Sequence, residues 1–236
     1  MAYHLRYLPS GHVFIDVKDD CDRLVDALLK TRYNEEFCIA AVFDEEFIGR
    51  LMEAGFLVMS AELKDDEGKD SLCILLPKLH LIRSVLFYPE LHIKKSIRPF
   101  LSRYELRADT DFDLVLDKCV QTHGDGWLTP PLVEILKSMR KRKDMRAKPV
   151  SFEVYRDGEL KAGEIGVITG RVYTSYSGYH EENNAGTVQM ILMAQWLEKA
   201  GFDFLDFGMP LKYKTSLGAR NVHPRSFVKL YRAARE

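Results

Sequence analysis

The sequence lacks long hydrophobic runs. Nowhere in its 236 residues do apolar side chains continue for the roughly eighteen positions that a membrane-spanning helix needs. The N-terminal segment Met1–Gly11 also lacks the apolar stretch of a secretory signal peptide. Both absences predict a soluble, cytoplasmic protein with no membrane partner.

Cysteine is scarce, and its spacing argues against metal or disulfide sites. The 4 cysteines form neither a C-x-x-C pair nor the close set of a disulfide framework. The 7 histidines show no metal-ligand spacing. G-x-S-x-G, P-loop and G-x-G-x-x-G motifs are absent as well. The sequence therefore carries no signature of a metal site or of a nucleotide or nicotinamide cofactor.

The total charge is close to zero, but it is unevenly distributed. Residues 1–70 carry 8 basic and 16 acidic side chains, a net charge of −8, whereas residues 71–236 carry 26 and 19, a net charge of +7. A polyanion would favour the second part. Ordinary variation between two surfaces explains the difference equally well.

The change in charge coincides with a segment that has no apolar side chain, Lys64–Asp70. Such a composition is typical of a solvated loop or linker. We therefore predict two domains: a small α/β domain over residues 1–70 and a larger domain over residues 71–236.

Apolar spacing predicts helices and short strands on both sides of this segment. The predicted helices are Asp22–Leu29, Glu45–Ala54, Pro89–Leu101, Phe112–Val120 and Pro131–Met139. The predicted strands are Phe37–Phe43, Leu72–Leu76 and Ser84–Phe87.

From Phe152 onwards the apolar period changes to two. Two turn signals predict consecutive hairpins as far as Ser177: Asp157-Gly158 and Gly170-Arg171. A helix over Thr187–Ala200 and a strand over Phe204–Phe207 follow. Antiparallel strands, then a helix, then a strand is the order of the acetyltransferase-like acyltransferase core, so we predict an α+β fold with a mixed sheet.

Asp206 stands out because it interrupts the apolar strand Phe204–Phe207. A half-buried carboxylate must be hydrogen-bonded or paired with a cation. It could orient or polarise an attacking amine, or it could be a structural acid that pairs with an arginine such as Arg220. Spacing alone favours the structural interpretation.

Basic side chains are concentrated in residues 137–148, which carry seven positive charges and one negative charge. This density can neutralise RNA phosphates, and a solvated helix end is the alternative. A second basic set favours RNA: Lys212, Lys214, Arg220, Arg225, Lys229, Arg232 and Arg235. We predict an RNA-binding face made of Lys94, Lys95, Arg98, Arg140, Lys141 and Arg142.

The two tryptophans have different expected roles. Trp127 lies on a glycine-containing loop before a helix, where it could stack on a terminal base or pack on that helix. Trp196 lies between Leu192 and Leu197 in a predicted helix, and we expect it in the core.

Six segments, taken in order, resemble those of a known family. They are Arg83–Ser96, Trp127–Pro130, Phe152–Leu160, Asn184-Ala185, Gly201–Asp206 and Ser216–Ala219. They are similar to the L-H-x-x-[RK]-S, W-I-T-P, E-V-W-x-D-G-E-L, N-A-S, D-C-Q and S-L-G-A elements of the leucyl/phenylalanyl-tRNA–protein transferases. The resemblance covers nearly the whole of residues 71–227 and continues more weakly over Cys38–Ser60.

The resemblance implies an acetyltransferase-like domain that takes leucine or phenylalanine from an aminoacyl-tRNA. It joins this amino acid to an acceptor protein with a basic N-terminal residue, in the N-degron pathway. The reaction is aminolysis of an ester, in which the amine must be neutral and the oxyanion needs hydrogen-bond donors. No metal or organic cofactor is implied.

Four polar or bulky residues of the family's pattern are replaced here: its glutamine by Gly208, its glutamate by Tyr176, its methionine by Gly178 and its asparagine by Leu211. Its F-P-W element is replaced by Phe56-Leu57-Val58. The resemblance makes Asp206 and Tyr176 the candidate catalytic residues. It assigns substrate binding to Trp127, Ser177, Gly178, Asn184, Gly208 and Ser216. The replacements leave two alternatives open, an N-acyltransferase with another acyl donor and an inactive protein that binds RNA or degrons.

Overall fold

The computed structural model describes residues 3–64 and 71–236, so most of the predicted loop at residues 64–70 lies outside the described residues. The α-helices in these ranges are α1 (Cys21–Thr31), α2 (Glu45–Glu53), α3 (Arg98–Leu101), α4 (Phe112–His123), α5 (Pro130–Met139), α6 (Ala185–Lys199), α7 (Lys212–Ser216) and α8 (Pro224–Arg235). None of these described helices combines the length and the apolar character needed to cross a membrane.

The strands within the same ranges form one large sheet and two hairpin-sized sheets. They are β1 (Arg6–Tyr7), β2 (Val13–Phe14), β3 (Leu57–Lys64), β4 (Ser71–Lys78), β5 (Arg83–Leu86), β6 (Glu105–Ala108), β7 (Ala147–Arg156), β8 (Glu159–Thr169), β9 (Val172–His180), β10 (Phe204–Asp206) and β11 (Arg220–Val222).

The central sheet has the order β11-β5-β10-β9-β8-β7-β6. Its β9 and β10 are parallel, and its other neighbouring strands are antiparallel. Asp157 and Gly158 connect β7 to β8 with φ angles of 54° and 82°, as a type I′ turn requires. The predicted α+β class with a mixed sheet is confirmed, and so are both hairpins.

Alternation along the central strands creates two cores. Val85 and Phe204 belong to the core that the sheet shares with α1, α2, α4, α5 and α8, which we call the first core. Their neighbours Leu86 and Leu205 belong to the core beneath α6, which we call the second core. Successive strand residues point to opposite faces, so the two cores lie on opposite sides of the sheet.

The β3–β4 hairpin connects the two sides of the predicted domain boundary. The strands pair along their whole length, from Leu57↔Lys78 to Lys64↔Ser71. Residues from α1 and α2 also share the first core with residues from α4 and α5. The division after residue 70 stays a prediction, and residues from both sides of it contribute to one core.

The α8 helix packs on the N-terminal helices. Its Tyr231 hydroxyl donates to the carbonyl of Met52 at 2.9 Å. Its Arg235 donates to Asp22 at 2.6 Å. Phe227 and Val228 are buried in the first core. The first core is therefore completed by a helix from the far end of the described chain.

Two predicted elements are wrong. Residues 89–101 form only a 3₁₀ turn (Tyr88–Glu90) and the short α3. Pro99 cannot continue a helix interior and restricts the residue before it, so a helix begins beside Pro99 rather than running through it. The expected strand Phe37–Phe43 makes only isolated bridges.

The expectation that Trp196 is buried is also wrong. Its side chain is 40% exposed. The ring contacts Phe152 and Phe202 at centroid distances of 5.3 and 6.5 Å. Met193 and Leu197 fill the buried stripe of α6 instead, and Trp196 lies beside that stripe.

Candidate active site

The central sheet opens between β9 and β10. These strands pair over three residues only, from Phe204↔Val172 to Asp206↔Thr174. β10 ends there, whereas β9 continues along β8 as far as His180. We call the resulting gap the β9–β10 opening, and Asp206 lies at its base.

Asp206 is fully buried, and its carboxylate makes only internal hydrogen bonds. Arg83 donates through Nε and Nη2 at 2.7 to 3.0 Å. The Thr174 hydroxyl donates at 3.1 Å and the Gly208 N–H at 2.9 Å. The arginine partner is thus Arg83 rather than the suspected Arg220, which is paired with Glu90.

The Arg83–Asp206 pair fixes the strands around the opening. Arg83 is 1% exposed and lies over the ring of Phe227, at 4.4 Å from its centroid. The fork of a guanidinium on a carboxylate gives two directional contacts. Because Arg83 is on β5, Asp206 on β10 and Thr174 on β9, one carboxylate joins three neighbouring strands.

Tyr176 is the extra residue of a β-bulge. Its neighbours Ser175 and Ser177 pair with consecutive residues of β8, which leaves Tyr176 without a partner on that strand. Its hydroxyl accepts the N–H of Val58 at 3.1 Å. Burial raises the pKa of Tyr176, so the phenol is neutral at physiological pH and tied to β3.

The bulge separates the predicted substrate residues onto two faces of the sheet. Ser177 pairs with Ile165 of the first core, and Tyr176 packs against that core as well. Gly178 pairs with Glu164, which points to the opposite face. The structure thus brings Asp206, Tyr176 and Ser177 to one side and places Gly178 on the other.

Two charged residues near the opening are buried: Glu164, which the sequence motifs do not single out, and Lys214, which the sequence predicts only as part of a basic RNA-binding set. Glu164 is 4% exposed, and burial raises its pKa to about 7. Lys214 is also buried, and burial lowers its pKa. The Lys214 ammonium donates to the carbonyls of Phe207 and Met209 at 2.6 and 3.1 Å. The available signal for Glu164 was a charged residue at an inward position of an alternating strand.

Three further predicted binding residues have defined backbone or hydrogen-bond roles. Gly208 has a φ of +71°, and its carbonyl accepts the Ser84 N–H at 2.7 Å. The Ser216 hydroxyl donates to the Lys212 carbonyl at 2.9 Å. Asn184 is exposed, with a φ of +72°, where α6 begins. Of the three, Gly208 is hydrogen-bonded directly to Asp206.

Trp127 lies beside the β3–β4 hairpin. Its carbonyl accepts the backbone N–H of Ser60 at 2.9 Å and the hydroxyl of Ser60 at 3.1 Å. The same hydroxyl accepts from Thr129 at 2.8 Å. The Trp127 ring is half-buried against the first core. The packing interpretation therefore accounts for one side of the ring, and base stacking stays a prediction for the other.

The predicted RNA-binding residues do not form one face. Lys94, Lys95 and Arg98 are exposed, and Ile97 between them is buried in the second core. Residue 139 at the end of α5 is buried in the first core, so the basic run that follows lies on the other side of the sheet.

Acidic neighbours partly neutralise this run. Arg140 pairs with Asp109 and lies over the ring of Phe112, at 4.3 Å from its centroid. Arg142 pairs with three acids: Glu45, Glu46 and Asp144. Lys141 is exposed. Exposed ion pairs contribute little energy, so a polyanion could compete for these arginines.

The sequence identifies the family of this protein. The family model described as leucyl/phenylalanyl-tRNA protein transferase matches residues 85–232. The chain belongs to this family. Asp206 and all the predicted substrate-binding and RNA-binding residues lie inside the match, whereas Arg83 lies two positions before it.

Curated leucyl/phenylalanyl-tRNA–protein transferases show the extent of the similarity. The protein of Pseudomonas putida (strain W619) is 34% identical over 150 residues, and that of Azotobacter vinelandii is 32% identical over 149 residues. Each match covers 61% of this chain, and it covers 65% and 64% of the two relatives, respectively. The chain thus spans just under two thirds of their length.

Two solved structures similar to this member of the leucyl/phenylalanyl-tRNA protein transferase family have low sequence identity. The crystal structure of FemX has a TM-score of 0.47 at 10% identity, covering 96% of this chain and 85% of FemX. A GCN5-related N-acetyltransferase from Anabaena variabilis has a TM-score of 0.40 at 9% identity, covering 85% and 46%.

Proposed function

We propose that this protein transfers leucine or phenylalanine from aminoacyl-tRNA to the N-terminus of acceptor proteins whose first residue is basic. The observation that carries the proposal is the family match over residues 85–232. The β9–β10 opening lies within that match, and the polar residue Asp206 lies at its inner end. Aminolysis of an ester suits such a site because it needs alignment and hydrogen-bond donors.

We propose different roles for the predicted site residues. Asp206 supports the site by position, since its carboxylate is saturated by Arg83, Thr174 and Gly208. The neutral phenol of Tyr176 is the proposed hydrogen-bond donor among the candidates. The proposed donor-binding set remains Trp127, Ser177, Gly178, Asn184, Gly208 and Ser216.

Transfer of labelled amino acid tests the proposal. We expect the purified protein to move labelled leucine or phenylalanine from tRNA to a peptide that begins with arginine, and to leave the N-acetylated peptide unlabelled. Transfer from a coenzyme A thioester instead would favour another N-acyltransferase. Binding of tRNA without transfer from either donor would favour an inactive RNA-binding protein.

Charge removal from residues 140–142 is expected to weaken tRNA binding. Replacing Arg140, Lys141 and Arg142 by alanine removes three cations that can bind phosphates. The slope of log affinity against log salt concentration is negative, and its magnitude should decrease by about 1 for each phosphate that is no longer neutralised. Titrations at several salt concentrations measure both effects.

Alanine substitution of the exposed set Lys94, Lys95 and Arg98 provides the matched comparison, because it removes the same number of predicted RNA-binding cations. Because the two sets lie on opposite sides of the sheet, alanine substitution of one set tests one surface at a time. An unchanged affinity and salt slope in the 140–142 variant, with its thermal unfolding unaltered, would show that this run is a solvated helix end.

A further inference from the structure

Glu164 is a buried acid to which the proposed function assigns no role. It lies on β8 and faces the second core, directly opposite Gly178 of β9. The residue is 4% exposed, and its Oε1 atom has no hydrogen-bond partner among the described residues. A buried carboxylate oxygen without a donor is unfavourable, so this atom calls for a ligand or a function.

The groups around Glu164 come from several elements. Ser175 and Tyr173 of β9 and Gln189 of α6 lie close enough to stabilise its charged form. Lys214 and Tyr213 of α7 and Cys119 of α4 interact with it electrostatically. Lys214 forms no ion pair in the part of the chain that the structure describes, because backbone carbonyls hold its ammonium. Lys214 therefore leaves the carboxylate available.

Gly178 packs directly against Glu164. A Cβ atom at position 178 would lie 3.3 Å from the Cβ of Glu164 and 3.2 Å from the carbonyl oxygen of Gly163. Gly178 itself is exposed. No side chain of β9 therefore separates Glu164 from the solvent-exposed position 178.

We propose that Glu164 is the catalytic base that accepts the proton of the attacking α-amine. This inference rests on the proposed function, with the substrate entering the β9–β10 opening between Glu164 on one face of the sheet and Tyr176 on the other. As the amine nitrogen forms its bond to the ester carbonyl carbon, its proton moves to the Glu164 carboxylate. The carbon–oxygen bond to the ribose then breaks, and the ribose oxygen takes the proton back from Glu164. The products are an amide and a free hydroxyl, and the base is regenerated.

The environment of Glu164 suits this step at neutral pH. Burial raises the pKa of its carboxyl to about 7, and a general base acts best when its pKa is near the working pH. Below that pKa the carboxyl is protonated and cannot accept a proton. Turnover should therefore decline as the pH falls below about 7.

Glu164→Gln tests the assignment in the full chain. We expect turnover at neutral pH to fall by about a hundredfold or more, with tRNA affinity unchanged, and the acidic decline in turnover to disappear. Glu159→Gln is the matched control, because Glu159 is an exposed residue of the same strand, paired with Lys161. Turnover within threefold of the unsubstituted protein in Glu164→Gln would overturn the proposal.

A binding measurement separates this inference from the proposed function. The unsubstituted protein should bind an arginine-initiated peptide more tightly than its N-acetylated form, and Glu164→Gln should lose that preference. This outcome, without any transfer from tRNA, would reject the donor and keep the amine site. Equal binding of the two peptides by the unsubstituted protein would reject the role of Glu164.

A second variant covers the case in which Glu164→Gln does not fold. Glu164→Asp keeps a carboxylate on a shorter side chain. We expect it to retain an acidic decline in turnover, displaced from that of the unsubstituted protein, with a lower maximal rate. A folded Glu164→Asp protein with an identical pH profile and rate would overturn the proposal.

Discussion

Asp206→Asn is expected to lower the free energy of unfolding by about 3 to 5 kcal/mol, because breaking a buried ion pair leaves an uncompensated charge. Arg83 is 1% exposed and would keep its guanidinium in the interior without a counter-charge. Denaturant titration followed by circular dichroism measures the loss.

Asp203→Asn is the matched control for that experiment. Asp203 precedes the same strand and pairs with Arg171, but the side chains are 42% and 52% exposed. Exposed pairs contribute about 1 kcal/mol or less, so the control should be nearly neutral. An Asp206→Asn protein as stable as the control but impaired in turnover would instead make Asp206 a catalytic residue.

Gly218→Ala is expected to cost about 3 kcal/mol or more. Gly218 has a φ of +101°, a conformation that alanine adopts only with strain. Its Cβ would also lie 2.0 Å from the carbonyl oxygen of Glu90. The backbone there is fixed, since the N–H of His92 donates to the Leu217 carbonyl at 2.9 Å. Thermal and denaturant unfolding both test this expectation.

Gly201→Ala isolates the conformational part of that effect. Gly201 has a φ of +83°, but no described atom outside its chain neighbours lies within 4 Å of the position that the alanine methyl group would occupy. We expect a loss of about 1 kcal/mol, the cost of the left-handed conformation alone. Equal losses for the two variants would show that the segment around Glu90 moves aside without cost.

Local signals in the sequence were sufficient for the elements with strong turn residues or an N-terminal proline. The Asp157-Gly158 turn is where the sequence predicts it, and the helix predicted over Pro131–Met139 is α5, which begins one residue earlier. The helix predicted over residues 89–101 is wrong because the apolar spacing suits a helix whereas Pro99 interrupts it. The predicted burial of Trp196 is wrong because apolar neighbours in sequence do not show which side of a helix is covered.

The site could be predicted only in part, since its decisive contacts are distant in sequence. Arg83 and Asp206 are 123 positions apart, and no spacing rule connects them. The bulge at Tyr176 reverses the alternation of β9, so residues that are adjacent in a motif point to different faces. For Glu164 the sequence offers only a charge at an inward strand position, and its burial and unpartnered oxygen are known only from the structure.

The position of α8 has a consequence for synthesis of the chain. Its Arg235 is 213 positions away from its partner Asp22. Ribosomes add about 5 to 20 residues per second. The interval between the synthesis of α1 and that of α8, the helix that covers it, is therefore roughly 10 to 40 s. During that interval the apolar surface that Phe227 and Val228 cover stays without its helix, so the first core is completed only after the end of the described chain is made.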